Sequence, residues 1–270
     1  RFGGCGFRVM PYLQNPARDA MTFVWFSNAD RPGQLSLWRS DSPGSEDVVL
    51  LESRPVKAEA LAYHPLENCH QEACSEAGLP YLHQLRVTGL DPDPRYEYKL
   101  KQDIARSEGG FLTPGDGAKP LRFLVYADSE TQPESTGKHA HWPGQGPARK
   151  LRNYPVDQTT GYRRNLEDIR EREPAFVAIA GDLVQSGGEQ RDWDEFWLHN
   201  AELASTSVIL PALGNHEYFG GPGSLGKYGT EDSERAIRKY QSYFDLPDNH
   251  ASNPLHSERY YAVDYGAVTL

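Results

Sequence analysis

Residues 176–182 read FVAIAGD and residues 208–217 read VILPALGNHE, and the way these two stretches fold decides what surrounds them. Each is a short apolar run without alternation that stops at a glycine followed by a polar residue. Runs of this kind suit strands buried on both faces of a sheet. Residues 121–127, LRFLVYA, repeat the pattern and lead into Asp128-Ser129-Glu130. The segments between carry helical spacing. In 161–173, Tyr162, Leu166 and Ile169 share a face and Pro174 ends the run; in 192–204, Trp193, Phe196, Trp197 and Leu203 form an apolar side. Residues 230–244 predict a further helix through Ile237, Tyr240 and Phe244, and 260–265 begin another strand. Strand, helix, strand, helix, strand specifies an α/β sheet.

Upstream the pattern changes. RVMPYLQ (8–14), MTFVWFS (21–27), QLSLW (34–38), VVLL (48–51), YLHQLRV (81–87) and YEYKL (96–100) are short β-like runs separated by turn residues, which predicts a small antiparallel sandwich. Residues 105–120, ARSEGGFLTPGDGAKP, read as a strand end followed by a linker. The chain therefore divides into an all-β domain, 1–117, and an α/β domain, 118–270. Within the second, residues 131–160 are punctuated by Pro133, Gly137, Pro143, Gly144, Gly146, Pro147 and Pro155, the composition of a long irregular insertion.

Composition narrows the function classes. With 270 residues, 38% hydrophobic and 11% aromatic, the chain can bury a large core, which excludes global disorder and a disulfide mini-protein. No stretch approaches the ~18–20 apolar residues of a membrane helix. RFGGCGFRVM at the start lacks the apolar core of a signal peptide, so the expectation is a soluble chain whose targeting segment is already removed. A net charge of −10 opposes binding along a nucleic-acid backbone and disfavours a nuclease. Cys5, Cys69 and Cys74 do not make a zinc site, because no second Cys pair follows. Either Cys69 and Cys74 form a disulfide and leave Cys5 over, or all three are unlinked thiols. The chain has no Asn-x-Ser/Thr site, which favours a bacterial extracytoplasmic protein, periplasmic or secreted.

Three strands end in polar residues at the same relative place: Asp128-Ser129-Glu130, Gly181-Asp182 and Gly214-Asn215-His216-Glu217. One Asp after a buried strand is commonly a cap or turn former. Three such ends in order point to a single crevice, since ligand sites in open α/β sheets form outside the carboxyl ends of strands.

The order Asp128, Gly181-Asp182, Gly214-Asn215-His216-Glu217 resembles the calcineurin-like metallophosphoesterase superfamily. The preceding strands, PYLQ and MTFVWFS at the front and YYAVDYG (260–266) behind make it similar to the purple acid phosphatase branch. Residues 87–98, VTGLDPDPRYEY, resemble the end of a fibronectin type III domain, where a tyrosine near this corner closes the sandwich. The resemblance implies a fibronectin III-like all-β sandwich followed by an α/β metallophosphoesterase domain, a β-sandwich core flanked by helices. It implies hydrolysis of small phosphate esters, mono- or diesters, by a water or hydroxide that two metal ions (Fe, Zn or Mn) activate. Asp128 then ligates the first metal, Asp182 bridges both, Asn215 binds the second, and His216 sits beside the leaving group as catalytic residue. Glu217 either orients His216 or is a surface residue.

The departures are as informative. The purple branch has Asp-x-Gly where this chain has Asp128-Ser129-Glu130, so Glu130 is either a further ligand or a loop residue. Gln185 stands where that branch has the tyrosine that colours it, so no tyrosinate band is expected. The later His ligands of the family have no counterpart, because no His follows His256. Lys138-His139-Ala140-His141 has His-x-His spacing but lies too early, and reads as part of the insertion. The expectation is that the C-terminal part of the fold is missing here, with the remaining ligands supplied by a continuation or a second chain. The rival reading is a non-catalytic binding protein with a vestigial site.

Overall fold

The computed structural model describes residues 6–42, 49–64, 67, 78–131, 158–221, 227–253 and 256–270. Cys5, Cys69, Cys74, the His139–His141 pair and most of the insertion lie outside the described residues. The first half contains β1 (Phe7–Ala17), β2 (Ala20–Ser27), β3 (Gln34–Arg39), β4 (Val49–Glu52), β5 (Val56–Lys57), β6 (Tyr81–Thr88), β7 (Arg95–Gln102) and β8 (Ala105–Leu112). They form two antiparallel sheets, ordered β1-β2-β6-β5 and β4-β3-β7-β8. In β7, Tyr96, Tyr98, Leu100 and Gln102 point inward while Arg95, Lys99 and Lys101 face out, the period of two expected for a sheet with one wet face. The sheets share a core in which the Phe23 ring meets Tyr98 and Phe111 edge-on at 4.9 and 5.7 Å. At the corner before β7, the Asp91 N–H donates to the Tyr96 hydroxyl at 2.9 Å.

Two strands escaped the sequence reading. β5 is only two residues long, and β8 runs through residues read as a strand end and linker. Glycines weaken a strand signal, yet at Gly109 glycine is required: a Cβ there would lie 2.4 Å from the Ser205 carbonyl oxygen of the second half.

The second half comprises β9 (Phe123–Tyr126), α1 (Gln158–Glu171), β10 (Phe176–Ile179), α2 (Gln190–Ala204), β11 (Val208–Pro211), α3 (Glu231–Tyr243), β12 (Asp264–Tyr265) and β13 (Val268–Thr269). A parallel sheet has the order β11-β10-β9, and β12-β13 is a short ribbon. β11 is buried throughout, as an apolar run without alternation requires. β9 departs from that expectation, with Phe123 37% and Val125 57% exposed. Both β9 and β11 are edge strands, but β11 is covered on both faces, with Ile209 in one core and Val208 and Leu210 in the other, whereas Phe123 and Val125 of β9 stay partly uncovered. Thr230 opens α3 with a reciprocal cap to Ser233.

The two halves share packing. β2 is buried at every position because both of its faces are covered. Phe23 and Trp25 enter the core between the two antiparallel sheets, while Val24 and Phe26 enter a second core with α2 and α3. From β1, Tyr12 stacks on Trp197 at 4.0 Å, and Gln14 Nε2 donates to the Ile209 carbonyl at 2.8 Å. Glu67 accepts the N–H groups of Gln190 and Arg191 at 2.8 and 3.2 Å, capping the start of α2 from a remote segment.

Inside the first half, His83 is fully buried, its ring stacked 4.7 Å from Trp25. Its Nδ1 and Nε2 lie 2.8 Å from the hydroxyls of Ser53 and Ser27. Burial pushes its pKa from 6.5 down to about 4, so it folds neutral. The unfolded chain then binds a proton that the folded one refuses, and stability present above pH 6.5 is lost as pH falls toward 4. In thermal melts across this window the wild-type midpoint should fall more steeply than that of His83→Gln. Parallel profiles would show that His83 is not the source of the acid sensitivity.

Candidate metal centre

The parallel register sets the site. Phe176 to Ile179 pair with Phe123 to Tyr126 on one side and with Val208 to Pro211 on the other, so the three carboxyl ends are level. The pairing continues into the loops. Asp128 N donates to the Gly181 carbonyl at 3.2 Å, Glu130 N to the Asp182 carbonyl at 2.9 Å, and Gln185 N to the Thr131 carbonyl at 3.2 Å. Asp128, Glu130 and Asp182 all take left-handed backbone conformations, with φ of 57°, 37° and 53°. Such residues are disfavoured for non-glycine side chains and gather where a surrounding structure imposes them, often at functional sites.

The loops after β10 and β11 approach closely enough to fix two glycines. A Cβ on Gly181 would lie 2.9 Å from the Gly214 backbone, and one on Gly214 would lie 2.1 Å from Asp182 Oδ1. This is the physical content of the two glycines that end the deciding stretches.

Glu130, Asp182 and His216 come together, each with a ligand atom within 4.8 Å of the others'. His216 heads a 3₁₀ turn, His216–Tyr218, and its backbone N–H donates to Asp182 Oδ1 at 3.0 Å. His216 Nε2 lies 3.7 Å from Glu130 Oε1. All three are half-buried. Asp128 sits at the same strand end but is exposed and is not one of these three; Asn215 is exposed just before the turn.

Glu217 takes a role that neither sequence alternative described. It is fully buried, and its carboxylate holds backbone rather than the His216 ring. Oε2 accepts from Gly214 N at 2.7 Å and Asp182 N at 3.0 Å; Oε1 accepts from Leu183 N at 2.8 Å and Val184 N at 3.4 Å. Burial pushes its pKa up to about 7, against the downward pull of these amides. The His216 ring is held instead by Gln185. Its Nδ1 lies 2.9 Å from the Gln185 carbonyl and 2.9 Å from the Gln185 side-chain amide, with the Phe219 ring 4.5 Å away.

Two carboxylates and an imidazole whose ligand atoms lie within 4.8 Å of one another form a donor set that fits a divalent or trivalent cation, with oxygen for hard ions and nitrogen for Zn or Fe. Without a cation the carboxylates repel each other, and a bound ion turns that repulsion into attraction. A cluster of this composition at level strand ends of a parallel sheet is a candidate metal site in an α/β fold.

Residues 121–269 match the Calcineurin-like phosphoesterase family model, and the chain belongs to that family. An uncharacterized protein of Mycobacterium tuberculosis is 28% identical over 248 residues, 90% of this chain and 42% of its own length. Purple acid phosphatase 21 of Arabidopsis thaliana is 25% identical over 187 residues, 69% of this chain and 34% of its own. Among solved structures, the purple acid phosphatase PPD1 from yellow lupin (Lupinus luteus) seeds has the same fold. Its TM-score is 0.64 at 21% identity, covering 94% of this chain and 42% of that one. PhoD matches at TM-score 0.59 and 14% identity, over 98% of this chain and 51% of its own. The chain thus spans less than half the length of the curated relatives it matches. Among the described residues, no helix is long and apolar enough to cross a membrane.

Glu217→Gln tests the staple between the loops. In either orientation the amide NH₂ faces two backbone N–H donors, so the expected loss is roughly 2–4 kcal/mol in chemical denaturation. Metal affinity, read by titration, should fall about 10- to 100-fold as the loops separate. Wild-type values for both would show that the four contacts do not hold the site.

Proposed function

We propose that the protein hydrolyses phosphate esters at a metal centre built on Glu130 and Asp182 and completed by Asp128 and the Asn215 amide oxygen, with the His216 imidazole beside it as the catalytic group. The observation that carries this reading is the meeting of two carboxylates and an imidazole within 4.8 Å, in a chain of the calcineurin-like phosphoesterase family. The finer reading is a dinuclear site of Fe, Zn or Mn, with Asp182 as the bridge and small mono- or diesters as substrates. Divalent cations held there would neutralise phosphoryl charge and make water a stronger nucleophile at neutral pH.

The chain's own residues do the rest. Asp182 is fixed from both sides, by Glu130 N on its carbonyl and by His216 N on Oδ1, so its carboxylate cannot swing away when a cation arrives. His216 Nε2 faces the cluster, where it can hand a proton to the departing oxygen. Glu130 supplies the charge that the Asp-x-Gly pattern lacks, and we assign it as a ligand. The first half, proposed as fibronectin type III-like, covers α2 and α3 and so supports the site from behind. Placement outside the cytoplasm, in a bacterial periplasm or secreted, belongs to the same reading.

Elemental analysis of the full-length protein, purified without chelator, should give about two ions per chain. Asp182→Asn should abolish hydrolysis and metal pairing. Near-zero metal that persists after reconstitution would favour a vestigial site used for binding. Glu130→Gln should lower occupancy by one ion while the fold melts unchanged, whereas full occupancy would return Glu130 to a loop role.

A further inference from the structure

The loop 183–189 runs from Asp182 to the first residue of α2, and its course decides where the His216 turn sits. Its start is pinned by Glu217, which accepts from Leu183 N and Val184 N. Its middle lies flat on the turn: Gly187 N donates to the His216 carbonyl at 3.0 Å and Gly188 N to the Phe219 carbonyl at 2.7 Å. A Cβ on Gly187 would lie 2.2 Å from the Glu217 carbonyl oxygen, and one on Gly188 would lie 2.2 Å from the Gly220 carbonyl carbon, so loop and turn have no slack between them. A shift of the loop therefore shifts His216.

The far end of this loop is held from the first half of the chain. Glu189, the residue before α2, does not cap the helix; its carboxylate turns to the Arg191 guanidinium at 2.6 and 2.7 Å. Glu67 takes that place. It stands between β5 and β6, is 8% exposed, and uses both oxygens: Oε1 accepts from Gln190 N at 2.8 Å and from His64 N at 2.6 Å, and Oε2 accepts from Arg191 N at 3.2 Å. The His64 bond closes Glu67 back on its own segment, which is anchored in turn. The Tyr63 hydroxyl donates to Asp194 of α2, and Arg8 Nη2 donates to the Tyr63 hydroxyl at 3.1 Å. Lys239 of α3 donates to the Ala62 carbonyl and, at 3.1 Å, to Gln190 Oε1. Glu67 is therefore a fixed post, and not a surface carboxylate that drifts with the helix it caps.

We propose that Glu67 is a positioning residue for the metal centre: Glu217 pins the start of loop 183–189, Glu67 pins its end, and the loop held between them sets the His216 turn. The proposal deepens the phosphoesterase reading and rests on it for the reaction that the centre performs. Loss of the Glu67 carboxylate leaves two N–H groups at the start of α2 without their acceptor. The helix keeps its packing through Trp193 and Phe196, whereas the loop keeps only the bond from Trp193 Nε1 to the Gly187 carbonyl, at 2.8 Å, as a tie to α2. The first half of the chain thus acts on the site through one side chain, beyond the support that its core gives.

The test uses the full-length protein loaded with Zn, as wild type, Glu67→Gln, Glu67→Asp and Tyr98→Phe. Tyr98 is the control: its hydroxyl donates to the Ser205 carbonyl at 2.9 Å and so ties the first half to the other end of α2. In Glu67→Gln, hydrogen exchange at the Gly187 and Gly188 amides should quicken about 10- to 100-fold, the factor that loss of a buried acceptor gives, while the amides of β2 keep their rates. Zn affinity should fall about 10-fold, and kcat on an aryl phosphate at saturating Zn about 10-fold with KM within about 2-fold. Tyr98→Phe should lower the melting midpoint and leave exchange, Zn affinity and kcat at wild-type values. Glu67→Asp, which keeps the charge on a shorter stem, should fall between wild type and Glu67→Gln. The proposal is overturned by wild-type exchange and Zn affinity in Glu67→Gln, or by equal changes in Tyr98→Phe, which would make Glu67 one docking contact among many. If Glu67→Gln does not fold, Glu67→Asp against Tyr98→Phe decides by the same readouts. A Zn-loaded wild type inert toward phosphate esters would overturn the phosphoesterase reading alone, since exchange and Zn binding still decide the role of Glu67.

Discussion

The sheet of β1 and β2 has two dry faces, and the rest of the molecule is arranged around that fact. Phe23 and Trp25 need the opposing antiparallel sheet; Val24 and Phe26 need α2 and α3. Neither half can withdraw without exposing a full face of large side chains, each worth about 1.5–3 kcal/mol of burial. The stack of Tyr12 on Trp197 and the Gln14 bond to the Ile209 carbonyl set how the layers meet. The carboxyl ends of β10 and β11 are thereby carried on a support that the first half provides.

On that support, the site depends on a buried carboxylate. Glu217 gathers four backbone N–H groups from the loops after β10 and β11 and holds Asp182 and Gly214 together. The approach it enforces leaves no room for a Cβ on Gly181 or Gly214. Two levels thus support one another: Glu217 orders the loops, and the loops place Asp182 and His216, whose Nδ1 meets Gln185. A buried carboxylate with four donors is expensive to desolvate and strongly rewarded once satisfied, which gives such a staple its rigidity.

Much of the fold was legible because its signals are local. The apolar runs at 176–180 and 208–213, the helical faces of α2 and α3 and the alternation in β7 each follow from periodicity within a few residues. What escaped was decided at long range. β8 hides behind Gly109, whose need for glycine comes from Ser205, far along the chain. β9 reads like β11, the other edge strand, yet leaves Phe123 and Val125 exposed where β11 is buried, because local composition does not say which faces the rest of the fold covers. Glu217 looked like a surface residue or a partner of His216, since the four amides it serves lie on loops that only folding brings together.

For the site, the sequence by itself determined the chemical alphabet: Asp128, Glu130, Asp182, Asn215 and His216 at the ends of successive strands, glycines before two of them, and Gln185 three residues after Asp182. The tertiary structure decided which of them meet. It brought Glu130, Asp182 and His216 within 4.8 Å, left Asp128 and Asn215 exposed beside them, and turned Gln185 onto the imidazole. The physical reason is that strand-end residues are placed by parallel register and by left-handed backbone at Asp128, Glu130 and Asp182, which neighbouring loops impose and local preference opposes.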